Sequence, residues 1–195
     1  DATALIRVNG WVCGAVTLTG DKLSAEVCAK AARFVRFCDA FSLPLITFVD
    51  AAGFDSLKSA MLVTQAYAQA TTAKITVITG KAYGPVYIAT AGKSAGADVV
   101  LAWPSAVISP LAPEAAVHIV WKDRLAAMQQ PEKDRPALIA EYAETACSPL
   151  HAAAAGYVSD IVAPAETREA VTALLHMLSD KRVTSLPKKH ANLQL

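Results

Sequence analysis

Aromatic residues make up only 7% of the 195-residue chain, and the formal net charge is +1. Charged residues are scattered, with no basic stripe and few aromatics interleaved with charge. Nucleic acid and anionic membrane surfaces are therefore poor partners for this composition. No apolar run is long enough to cross a bilayer, and no secretory signal is read, so the expected location is the cytoplasm without membrane insertion. The four cysteines, Cys13, Cys28, Cys38 and Cys147, lack any CxxC or metal-type spacing. They are expected to be small buried hydrophobes in a reducing compartment, with no metal bound. G-x-G-x-x-G and G-x-x-x-x-G-K-[ST] are both missing, which removes support for nucleotide-phosphate cradling, and no nucleophile elbow is expected. His118, His151, His176 and His190 have no paired nucleophile at a recognisable spacing.

What is present is a long, alanine-rich apolar sequence, 54% hydrophobic, enough for one domain with a real core. Residues 4–8 and 11–18 are β-rich runs joined by Asn9-Gly10, the signal for a hairpin with a type I′ turn. Ser24 can cap a helix whose apolar face would be Val27, Ala31, Phe34, Val35, Cys38 and Phe41. Residues 44–49 form a buried strand, with Asp50 to Phe54 as a loop at its carboxyl end, and residues 56–71 a second helix. Asp50 could be catalytic, but bracing its own loop through backbone N–H groups is the simpler role.

The most informative stretch runs from Lys74 to Lys93. Residues 75–79 read as a buried strand, Gly84-Pro85 as a break, residues 86–91 as the first turns of a helix and Gly92 as its end. Free N–H groups and the helix dipole would favour an anion or oxyanion at that turn. A plain βα connection has the same local pattern. Beyond it, strands are expected at 99–102 and 106–109, and a loop bracketed by Pro110 and Pro113. A helix is then expected at 114–121, continued or not through 122–130, and a charged, exposed one at 131–145. A short helix at 149–155, a strand at 157–162, a last helix at 164–178 and an extended tail over 182–195 complete the chain. Strand pairs followed by helices differ from the simple alternation of a doubly wound sheet.

Five separated motifs, in order, resemble the carboxyltransferase component of biotin-dependent acyl-CoA carboxylases, the propionyl-CoA carboxylase β type above all. They are F-V-D-A-A-G-F at 48–54, A-K-I-T-V-I-T-G-K-A-Y-G at 73–84, A-W-P-S-A at 102–106, G-Y-V-S-D-I-V-A-P-A-E-T-R at 156–168 and P-K-K-H-A-N at 187–192. The match covers essentially the whole chain but only the C-terminal half of the usual carboxyltransferase. It implies an α/β, crotonase-like spiral of ββα units as a single domain over 1–195. It also implies a carrier-borne biotin as cofactor, and an acyl-CoA, a biotin carrier protein and a CoA-binding N-terminal half as partners, in a homo- or hetero-oligomer. By the same resemblance the backbone at Pro85 and Val86 holds the biotin oxygen. Gly53, Phe54, Gly84, Tyr87, Ile88, Leu111 and Ala112 line the cleft.

Several of these positions depart from the family pattern. The usual turn is glycine, glycine, alanine, tyrosine, whereas here it is Gly84, Pro85, Val86, Tyr87. Proline has no N–H, so one expected donor is gone. Ile88 stands at a position that is polar in relatives and bears on acyl-chain choice. Leu111-Ala112 replace methionine-glycine, and Gly80 replaces a common arginine. Two readings remain. One is a working half that holds the biotin-carried carboxyl group. The other is a non-catalytic structural or assembly half whose site has drifted.

Overall fold

The computed structural model describes residues 2–128 and 130–184. The P-K-K-H-A-N motif and the expected tail from residue 185 onward lie outside the described residues. The chain opens with β1 (Thr3–Val8) and β2 (Trp11–Gly20), an antiparallel pair. Asn9 and Gly10 have φ of 45° and 90°, the positive values that a type I′ turn demands. Helix α1 (Ala25–Ala40) is capped by Ser24, whose hydroxyl accepts from the Val27 N–H. Strand β3 (Leu45–Ala51), helix α2 (Leu57–Gln69) with its Ser56 cap, and strand β4 (Lys74–Tyr83) come next. Asp55 ties the two helix starts together by accepting from the Ala25 N–H at 3.0 Å and the Ser59 hydroxyl at 2.7 Å.

The second half contains α3 (Gly84–Thr90), β5 (Val99–Ala102), β6 (Val107–Ser109), α4 (Pro113–Val120) and α5 (Lys122–Ala126). It continues with α6 (Pro131–Ala146), α7 (Pro149–Ala154), β7 (Asp160–Ile161) and α8 (Thr167–Met177). The sheet order is β1-β2-β3-β4-β5-β7, with β6 also paired to β4, and every pair except β1–β2 is parallel.

β4 is the axis of this arrangement. Its first half, Ile75 to Ile78, pairs with β5, and its second half, Lys81 to Tyr83, pairs with β6. The change of partner falls at Gly80, where the register with β3 also shifts. The Asp50 carboxylate fills the space a side chain at Gly80 would need and accepts the Lys81 N–H at 2.8 Å. Asp50 therefore braces the neighbouring strand from within β3, which runs two residues further than the sequence suggests. An extra-long strand with two successive partners is what lets the chain climb from one ββα turn to the next.

The main core lies on one face of the sheet, between β2, β3 and β4 and helices α1, α2 and α3. A second core on the opposite face packs Ile46, Ile75, Val77 and Leu101 against Val171 and Leu175 of α8. All four cysteines are buried and free, as expected, and burial pushes the thiols of Cys13, Cys28 and Cys38 up to about 11.

Four expectations are corrected. Phe41 is 65% exposed, and Cys28 and Ala32 take places in the buried face of α1 instead. The strand expected over 157–162 shrinks to Asp160–Ile161. The last helix begins at Thr167, after a 3-10 turn over Pro164–Glu166. Helix α6 is not wholly solvated, because Leu138 and Tyr142 turn inward onto Val117 of α4.

Candidate functional site

The site grows from the end of β4. Tyr83 pairs with Ser109 in the parallel register of β4 and β6, so the next residue of each strand, Gly84 and Pro110, also meet. Gly84 has φ of +33°, and a Cβ there would stand 2.5 Å from the Pro110 carbonyl oxygen. Only glycine fits both the backbone angle and the approach. Pro85 comes next, in the first turn of α3. Its fixed φ suits that position, and the N–H it lacks would not have bonded within the helix.

The donors of the turn can be counted. In a helix that starts at Gly84, the Tyr87 N–H is the first to bond back, to the Tyr83 carbonyl. It is therefore not free to replace the donor missing at Pro85. Of the two backbone positions the sequence singled out, Val86 alone carries an N–H, and it lies ahead of the intrahelical ladder. The Val86 side chain is fully buried and points into the main core. The helix is pinned from beneath: Thr76 donates its hydroxyl to the Thr90 carbonyl and Thr90 donates its own to the Val86 carbonyl, both at 2.7 Å.

Beside the turn is a cavity of about 490 Å³. Gly84, Tyr87 and Ile88 form one wall, Ser109 and Pro110 another, and Tyr142 and His151 face them from α6 and α7. The Tyr87 hydroxyl donates to the Tyr157 carbonyl at 2.6 Å and the two rings meet edge-on, which fixes the rim. Ile88 is 54% exposed at the mouth.

Ser109 is 5% exposed, and its hydroxyl, shut off from solvent, has no well-formed hydrogen bond among the described residues. It lies beside the Tyr142 phenol and the Cys147 thiol. Burial pushes both of those groups above their ordinary values, and the nearby Ser109 hydroxyl works against that shift.

Pro85 and Val86 themselves are not among the described residues lining the cavity, and the other expected residues lie elsewhere. Gly53 and Phe54 are not among the described residues lining the cavity; the Gly53 carbonyl accepts the Leu23 N–H at 2.9 Å, and Phe54 packs on the main core. Leu111 is exposed and Ala112 caps α4; neither is among the described lining residues, although they come directly after Pro110. Sequence reasoning missed Ser109, Tyr142 and His151 as a group. The four-residue spacing of Leu138 and Tyr142 was the available sign that α6 has a buried face. Among the described residues, no group of His, Cys, Asp or Glu is arranged to hold a metal ion. No helix among them is long and apolar enough to cross a membrane.

Residues 2–193 match the family described as the carboxyl transferase domain, and the chain belongs to that family. Its α/β architecture is the crotonase-like one. The chain is 40% identical to the propionyl-CoA carboxylase carboxyltransferase subunit of Haloferax mediterranei, over 97% of this chain and 39% of that protein. It is 39% identical to the methylmalonyl-CoA decarboxylase subunit alpha of Veillonella parvula, over 85% of this chain and 33% of that protein. Among solved structures, the transcarboxylase 12S hexamer crystallised with methylmalonyl-coenzyme A superposes with a TM-score of 0.88 at 37% identity, covering 97% of this chain and 39% of that one. The chain thus spans about two fifths or less of the length of these relatives.

Proposed function

We propose that this chain is the biotin-side half of a carboxyltransferase, moving a carboxyl group to or from an acyl-CoA with a CoA-binding N-terminal half. The observation that carries the proposal is the meeting of Gly84 with Pro110, which sets the start of α3 against a mostly apolar cavity. The fit to biotin is chemical. Its ring system is neutral and its arm is alkyl, and the described lining contains tyrosine, isoleucine and alanine with no lysine or arginine. A carrier-borne biotin supplies, when bound, a carboxyl group on a ring nitrogen and a ureido oxygen on which charge gathers as that group leaves.

The chain's own part is electrostatic. The Val86 N–H is the backbone donor toward that oxygen, and the packing of Val86 and the Thr90 hydroxyl bond hold the turn still. Gly84 lets the backbone approach. Tyr87 and Ile88 wall the cavity against water, which strengthens the remaining donor. No acidic or basic side chain is needed if each developing oxyanion meets preorganised donors. Gly53, Phe54, Leu111 and Ala112 belong to this reading only as neighbours of the cleft. The partners that complete it are a biotin carrier protein and an acyl-CoA bound by the other half, within a cytoplasmic oligomer.

Pro85 favours a second reading, a structural half without activity, because one expected donor is missing. Loss of one oxyanion donor typically costs roughly 3–4 kcal/mol in the transition state. The experiment is to mix the chain with a CoA-holding half and monitor carboxyl transfer from methylmalonyl-CoA to free biotin. Transfer that depends on both halves supports the first reading. A folded chain that supports no transfer with any partner half leaves the structural one.

A further inference from the structure

We propose that β1, the open edge of the sheet, takes an added antiparallel strand from a partner protein, and that this strand carries an acid, an apolar residue and a second acid at alternate positions, to meet Lys30, Leu5 and Arg7. The proposal goes beyond the carboxyl-transfer reading and does not rest on it.

The first observation is the free backbone. Among the described residues β1 pairs with β2 alone and ends the sheet. In a two-residue hairpin the residues flanking the turn, here Val8 and Trp11, exchange both backbone bonds, and every second pair along the ladder does the same. The Thr17 N–H donates to the Ala2 carbonyl at 2.9 Å, which confirms that phase at the far end. Ala4, Ile6 and Val8 therefore point their N–H and C=O groups at β2. Thr3, Leu5 and Arg7 point theirs outward, and none of these groups has a partner among the described residues. Edge strands are usually blunted by proline, a bulge or several charges. β1 keeps an unbroken register with β2, has no proline and carries a single charge, at Arg7.

The second observation is what stands beside that edge. Leu5 is opposite Gly14 in the register, and the Phe34 ring fills the space above Gly14, where a Cβ would stand 3.1 Å from it. Leu5 thus borders an aromatic surface, yet it is 53% exposed. Phe37 stacks on Phe34 with ring centroids 6.2 Å apart, and Phe41 follows at 4.9 Å from Phe37, so the apolar strip runs on along α1. Lys30, one turn before Phe34, lines a shallow hollow with Ala2 and Thr3.

Charge decides the occupant. Lys30 stands at the Thr3 end of the edge and Arg7 near the other. The Arg7 guanidinium donates to the Gly10 carbonyl at 3.3 Å, and neither cation has an ion pair among the described residues, Glu26 one turn before Lys30 included. An added strand places its own alternate side chains opposite Thr3, Leu5 and Arg7, on the face that α1 shares. Acids opposite Thr3 and Arg7 would reach the two cations, and an apolar residue between them would cover Leu5 and extend the phenylalanine strip. A second copy of this chain fits badly: antiparallel pairing of β1 with itself about Leu5 sets Arg7 of each copy against Thr3 and Lys30 of the other, cation against cation.

The test uses the peptide T-E-T-L-T-E-T, blocked at both ends, its counterpart T-K-T-L-T-K-T, and the acidic peptide N-methylated at leucine or, as a control, at the threonine before it. Binding is read by fluorescence anisotropy and by the exchange rates of individual amides in the wild-type chain. The acidic peptide should bind, and the Leu5 and Arg7 amides, which exchange freely without it, should slow, while those of Ile6 and Val8 are already protected by β2 and change little. N-methylation at leucine should weaken binding by about tenfold or more, because a bond is lost and the methyl blocks the approach, whereas the threonine N–H points away and its methyl should cost less than about threefold. Arg7→Glu combined with Lys30→Glu should weaken the acidic peptide by about tenfold or more and bring in the lysine counterpart instead. Both side chains are exposed, so the variant should melt near wild type; if it does not, the methylated peptides, which leave the protein untouched, carry the test. No binding of the acidic peptide at millimolar concentration, equal binding of the acidic and lysine peptides, or binding that leaves the Leu5 and Arg7 amides exchanging freely overturns the proposal. So does protection of those amides in the free chain that grows with protein concentration, the sign of a second copy on the edge.

Discussion

Gly84 lies against the carbonyl oxygen of Pro110, so close that a Cβ on Gly84 would stand 2.5 Å from that atom. Both sides of the contact are backbone, and neither can swing aside as a side chain could. The contact joins the end of β4 to the end of β6 and fixes where α3 begins. Gly84→Ala should therefore lose stability by roughly 2–4 kcal/mol, combining a left-handed backbone angle with the overlap. Carboxyl transfer should fall more steeply than stability, because the turn must shift to relieve the clash. Urea melts and transfer rates on the same variant check this; wild-type rates in a folded Gly84→Ala protein would count against the turn as the site.

Pro85→Gly restores a backbone N–H in the first turn of α3. If transfer is limited by the missing donor, the rate should rise, by less than the roughly hundredfold that a full donor supplies. Stability should fall by about 1 kcal/mol, since glycine has more freedom to lose than proline. Val86→Ala is not a second route to the same gain. Its side chain is fully buried, so truncation leaves a hole in the core and should cost about 1–3 kcal/mol with no relief at the cavity. A slower Pro85→Gly protein with an unchanged melting temperature would mean that the proline is part of the working turn.

The features that read correctly from the sequence are local ones. Asn9-Gly10 needs positive φ, Ser24 caps the helix that begins beside it, and Gly84-Pro85 mark the change from β4 to α3. Each is decided within a few residues. The misread features depend on what packs from a distance. Phe41 has helical spacing with Cys38 and Phe34, yet it is left 65% exposed at the end of α1 among the described residues. Asp50 looks like the start of a loop, but the register shift opposite Gly80 keeps it in the strand. Ser109 and Tyr142 are separated by 33 positions, and only the pairing of β6 with β4 and the folding of α6 onto α4 bring them to one cavity.

Tyr87→Phe removes the hydroxyl that donates to the Tyr157 carbonyl at 2.6 Å and keeps the edge-on ring contact. The cost should be about 0.5–1.5 kcal/mol, one neutral hydrogen bond. The larger effect should be local: the segment around Tyr157 loses its tie to α3, and its amide hydrogens should exchange faster while those of β4 do not. Uniform exchange changes across the sheet would show that Tyr87 supports the whole fold rather than the rim.

Lys74 gives the fold a pH dependence of definite sign. It is 3% exposed, and its Nζ donates to the carbonyls of Tyr67 and Ala70, both at 2.6 Å, and of Ala95 at 3.3 Å. Two of these carbonyls close the C-terminal end of α2, where the helix dipole favours a cation. Burial nevertheless pushes the amine down from 10.5 to about 8, with Lys181 adding to the shift and Asp98 and Asp39 opposing it. Between those values the unfolded chain holds a proton that the folded chain has released, so this group's contribution to stability rises with pH. Below about 8 it is charged in both states, and above 10.5 neutral in both. Lys74→Met should cost about 1–3 kcal/mol at neutral pH, because the carbonyls lose their donor. The gap between wild type and variant should then widen by on the order of 3 kcal/mol between pH 8 and pH 10.5, at 1.36 kcal/mol per pH unit. Comparison with the variant cancels the titration of the buried thiols, which weakens both proteins over the same range. Urea melts at four or five pH values would decide it: a gap that stays flat or narrows as the pH rises would mean that the carbonyl cage holds the ammonium form through burial.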